Sequence, residues 1–134
     1  MKSKQCLDVQ QMQHLQELGM KLDYDTLFRY IKFEDTDWLL KPFSDLNIIG
    51  INFKYIPAYT LQDVLDALPT TILQDKRIYE LDINMCNESI EYVKTSVDDV
   101  LVGLRFTQIT LIDAAYSMLW WAIKNKFVET NKNE

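Results

Sequence analysis

The chain has 134 residues, 48% of them hydrophobic. That fits one domain able to bury its own core, and it argues against disorder. Its net charge is −6, and the excess is local: between Thr60 and Asp99 nine acids stand against three bases, while the remainder balances. An acidic middle repels phosphate backbones and anionic lipid, so direct nucleic-acid binding and membrane binding are not expected.

MKSKQCLDVQQ carries charges but no apolar run, so no secretory signal is expected at the start. Cys6 and Cys86 lie far apart with no CxxC or CxxH spacing, which reads as two free thiols in a reducing compartment. The expected location is cytoplasmic. In Leu7–Leu18, Val9, Met12, Leu15 and Leu18 recur every third residue among glutamines, predicting a first helix that Gly19 stops. Leu27–Phe33 and Trp38–Phe43 are rich in aromatic and branched residues and bracket the polar Glu34-Asp35-Thr36-Asp37, a hairpin pattern. Leu46–Ile56 reads as a third strand or a long loop. Ile49, Ile51, Phe53 and Tyr55 alternate there, and Pro57 breaks the pattern.

Thr60-Leu61-Gln62-Asp63 opens a short helix over Leu61–Leu68, which Pro69 ends. Arg77–Cys86 alternates, with Tyr79, Leu81, Ile83 and Met85 opposing Glu80, Asp82 and Asn84, and predicts a strand with one buried side. Ser89–Thr95 and Val100–Phe106 read as its successors. Thr110–Val128 is the longest apolar-rich segment, opened by Thr110 and Asp113 and apolar over most of its circumference. It predicts a core helix, too short and too charged to span a bilayer. A polar tail follows from Glu129. The expected fold is α+β, a single domain over 1–134, in the order α-ββ(β)-α-βββ-α. One antiparallel sheet of about five strands carries helices packed on one face.

Reactive chemistry is thinly represented. His14 is the lone histidine, so a zinc site or a Ser-His or Cys-His arrangement lacks its usual ligands and partners. No phosphate-binding glycine motif is present. Glu34, Asp35 and Asp37 lack the EF-hand pattern and read as turn residues. No catalytic, cofactor-binding or metal-binding residues are therefore assigned. The residues expected to meet a partner are Trp120 and Trp121, whose adjacent positions on a helix point about 100° apart, and the acids Glu80, Asp82 and Glu91. Trp120 borders the polar strip of its helix. An exposed Trp there is an interface anchor; a covered one packs beneath a loop or the first helix.

Ile56-Pro-Ala-Tyr-Thr-Leu-Gln-Asp-Val-Leu-Asp-Ala-Leu-Pro69 and Leu111-Ile-Asp-Ala-Ala-Tyr-Ser-Met-Leu-Trp-Trp-Ala-Ile-Lys124, with Met12-Gln-His-Leu-Gln-Glu-Leu-Gly19, resemble small uncharacterised proteins of gut-bacterial prophages and mobile elements. The resemblance implies a genetic setting, and neither an activity nor a functional residue. The expected function is a non-catalytic protein-binding or accessory factor of a mobile element, its protein partner unidentified and a homo-oligomer left open. Two alternatives stand beside it: an acidic immunity or inhibitor protein against a basic toxin or nuclease, and a small carboxylate-dependent enzyme, which needs a cleft where two acids converge.

Overall fold

The computed structural model describes residues 4–34, 36–42, 53–74, 76–95, 100–107 and 110–130. The chain enters through helix α1, Val9–Glu17. Asp8 caps it in a reciprocal box with Gln11. At its other end Gly19, at φ 92°, lets the amides of Gly19 and Met20 turn back onto the carbonyls of Gln16 and Leu15, a Schellman closure.

Strands β1 (Phe28–Phe33) and β2 (Leu39–Pro42) pair antiparallel, and β3 (Phe53–Ala58) pairs antiparallel with the other side of β1. These form a three-stranded sheet in the order β2-β1-β3. Pro57 does not end its strand: it pairs with Arg29 and the strand runs on to Ala58. Proline is tolerated there because β3 is the outer strand among the described residues, so its missing N–H takes no ladder bond away.

Helix α2 (Leu61–Ala67) begins at the Thr60–Asp63 box that the sequence predicts, and the Cys6–Thr60 bridge ties the chain start to it. A second antiparallel sheet follows: β4 (Thr71–Gln74), β5 (Arg77–Asn84), β6 (Ser89–Thr95) and β7 (Val100–Thr107), in that spatial order. Helix α3, Leu111–Lys124, lies on β6, β7 and α2.

The α+β class holds, with three helices among the described residues. The expected single sheet of about five strands does not: among the described residues seven strands divide into sheets of three and four. The order gains β4, because Thr71–Gln74 is too short to show its period between Pro69 and the next strand. The expected third strand is confirmed over Phe53–Ala58, and its proposed earlier part lies outside the described residues. One hydrophobic core serves both sheets: Leu7, Met12, Leu15 and Ile56 from the first half meet Tyr92, Met118, Leu119 and Ala122 from the second. Among the described residues no helix is long and apolar enough to cross a membrane.

Candidate functional site

The narrow polar strip of α3 does not face water alone; it meets α1. At one end Lys4 Nζ donates to Asp113 Oδ1 at 2.7 Å and to Gln11 Oε1 at 2.8 Å, and Gln11 Nε2 donates to Asp113 Oδ1 at 2.9 Å. Thr110 Oγ1 adds a donor to the other carboxylate oxygen at 2.6 Å. Partial burial alone raises the carboxyl pKa. The donors from Lys4, Thr110 and Gln11 outweigh burial and hold Asp113 below the usual carboxylate range.

About one turn along, His14 sits between Tyr116 and Trp120. Its Nδ1 bonds the Tyr116 hydroxyl, and Trp120 Nε1 donates to its Nε2 at 3.3 Å. An indole N–H only donates, so Nε2 is the bare, accepting nitrogen and Nδ1 carries the proton toward Tyr116. Both ring nitrogens are thus engaged inside the fold. Burial raises the Tyr116 pKa, and the nearby Asp8 charge adds to it. Lys124 closes the row, its Nζ 4.7 Å from the centre of the Trp120 ring.

Trp120 and Trp121 diverge as adjacent helical positions must. Trp120 is half-buried, its ring nitrogen resting on His14 of α1. Trp121 turns to the core, packed on Tyr92 at 6.2 Å between ring centres and stacked on Phe127 at 5.3 Å. The expected acids do share a face: Asp82 and Glu91 are direct cross-strand partners, and Glu80 is two residues along β5. Glu80 and Asp82 are exposed. Glu91 is only 8% exposed, and Arg105 occupies the position opposite it on β7. Two apolar side chains join this face: Leu73 and Ile78, directly paired, are 65% and 64% exposed.

Acids also gather at a cleft of about 350 Å³ lined by Asp23, Asp63, Asp66 and Glu129 together with Lys21 and Tyr59. Two of them already hold local structure. Asp63 accepts from the Thr60 amide and hydroxyl, and Asp66 accepts from Gln62. Among the described residues no three His, Cys, Asp or Glu side chains group so as to hold a metal ion.

The surface that sequence reasoning missed lies on the first sheet. Phe33 and Phe53 are cross-strand partners with ring centres 6.2 Å apart, Phe53 reaches Tyr55 at 5.9 Å, and Tyr55 meets the edge of Tyr24 at 5.8 Å. The Arg29 guanidinium lies 5.3 Å from the centre of the Tyr55 ring. Tyr24 and Tyr55 keep 40% and 46% of their surface exposed. On the opposite side of the same strands Lys32 and Lys54 face each other in register, both exposed. The alternation of Phe53 and Tyr55 carried the signal. Ile56 and Ala58, in the other phase, are the residues that reach the core. No family model matches the chain, and neither a curated protein nor a solved structure matches it.

Proposed function

We propose that this chain is a non-catalytic protein-binding factor that acts through the aromatic surface of its three-stranded sheet. The observation that carries the reading is the run of four rings, Tyr24, Tyr55, Phe53 and Phe33, partly exposed and joined by Arg29. Aromatic and arginine side chains dominate the energetics of protein interfaces. The engagement of both His14 nitrogens by the fold supports the non-catalytic part, since it leaves neither free for a substrate. The setting implied by the resemblance, a prophage or another mobile element, belongs to the same proposal.

The test is affinity capture from cells that carry the sequence, comparing the natural chain with Tyr55→Ala. Truncating an aromatic anchor at an interface costs about 2 kcal/mol or more. A partner retained by the natural chain should therefore be lost by the variant. Equal recovery by both would remove the reading.

A second reading has its own support. The face bearing Glu80 and Asp82 also exposes Leu73 and Ile78, an apolar centre beside acids that suits a basic toxin or nuclease. Association of that kind weakens as salt rises and fails in the Glu80→Lys, Asp82→Lys double variant. Binding insensitive to both removes it.

A further inference from the structure

We infer that the outer edge of β3 receives an extended, acidic polypeptide segment as an added strand. The inference rests on the binding reading above and names the partner's chemistry. Strand β3 is the last of its sheet among the described residues; the chain start takes the Tyr59 carbonyl just beyond it, so the open stretch of this edge is Phe53–Ala58. Outer strands carry backbone donors and acceptors that another chain can complete. Beside this edge runs a groove of about 390 Å³. It is lined by Phe53, Lys54, Tyr55 and Ile56 of β3, by the exposed Gln13 and Gln16 of α1, and by Tyr24 and Trp38. A strand laid there has ladder hydrogen bonds on one flank and amide side chains on the other. Its alternate side chains meet the Phe53–Tyr55 rings on one face and Lys54 on the other.

The charge of the occupant follows from the lysines. Lys32 and Lys54 stand opposite each other in register, a placement that costs stability between like charges. Among the described residues neither joins an ion pair; the pairs present all involve Lys4. Both also line a neighbouring cleft of about 480 Å³ with Phe33, Glu34 and Phe53. A carboxylate placed between the two ammonium groups relieves their repulsion. A second copy of this chain fits poorly, because its own β3 brings a further lysine and no acid. A nucleic acid fits poorly too, since nine acids against three bases between Thr60 and Asp99 repel a polyanion. A short peptide brings few charges and a neutral backbone.

The test pans a display library of random dodecapeptides against the full chain. The selected peptide is then measured by fluorescence polarisation in two forms, unmodified and N-methylated at alternate residues. The expected winners carry Asp or Glu at alternate positions. N-methylation on the ladder side should weaken binding about tenfold or more, because each lost bond leaves a desolvated acceptor. Lys54→Glu should weaken it about fivefold or more while its thermal melting stays near that of the natural chain. No enrichment, winners without acids, or full displacement by a thymidine oligonucleotide would each overturn the inference. Binding that needs Tyr55 yet ignores N-methylation overturns the added strand and leaves the aromatic surface standing as the binding site.

Discussion

Lys126 occupies a position where a side chain is a liability. Its φ is 66°, and its amide together with that of Phe127 returns to the carbonyls of Ile123 and Ala122 to close α3. That left-handed conformation costs an L-residue roughly 1 kcal/mol relative to glycine. Lys126→Gly is expected to stabilise the fold by up to about 1 kcal/mol, read as a higher denaturant midpoint at unchanged slope. The Asp113 carboxyl carries a pH signature. Its folded pKa lies below its unfolded value, so its contribution is complete above about pH 4 and is lost as pH falls through the folded value. In an acid titration of stability, Asp113→Asn should lower the plateau by about 1–2 kcal/mol and flatten the decline at low pH. The two thiols should also separate. Burial, and then the Asp63 charge, push Cys6 up to about 11, whereas Cys86 is exposed. Titration of the native chain with a thiol reagent near pH 8 should show one fast thiol. Cys86→Ser should abolish the fast phase and Cys6→Ser should not.

The helices were legible at their ends because capping is local chemistry. Thr60 and Asp63, and Thr110 and Asp113, lie three residues apart and make their bonds within one turn. The strands were legible as elements where alternation ran long enough, as over Arg77–Asn84, and not where it was short, as over Thr71–Gln74. Which phase of β3 faces inward was not legible. Phe53 and Tyr55 are the more hydrophobic-looking set. Yet Ile56 and Ala58 reach the core, because register with Tyr30 and Phe28 fixes the face. Packing of Trp120 beneath the first helix was one of the two placements the sequence offered, but the His14–Tyr116 pairing of that seam was beyond sequence reading. His14 and Tyr116 are 102 positions apart, and nothing local marks them as partners. His14→Phe should test how far that seam holds the helices: it strands the Trp120 N–H and the Tyr116 hydroxyl, at a cost of about 1–3 kcal/mol, read by equilibrium unfolding.

At the scale of the molecule, composition and period do not encode the division into two sheets: every pairing but β1–β3 joins strands consecutive in the chain, and the break falls where α2 stands between β3 and β4. The shared core was legible, since Met118, Leu119 and Ala122 fall on the apolar face of the closing helix and are fully buried there. Because residues of both sheets belong to that core, Met118→Ala should cost about 2–5 kcal/mol. It should lower one cooperative transition, whether followed by far-ultraviolet dichroism or by tryptophan emission. A transition that splits between the probes would show the sheets unfolding separately. The Trp120 indole has one more consequence. Its N–H rests on the bare nitrogen of the lone imidazole, which sits on the opposite helix. Parting of the two helices ends the contact and returns the indole N–H to water, which changes the tryptophan emission. The chain thereby carries an intrinsic optical gauge of how its first and last helices are joined, readable without any label.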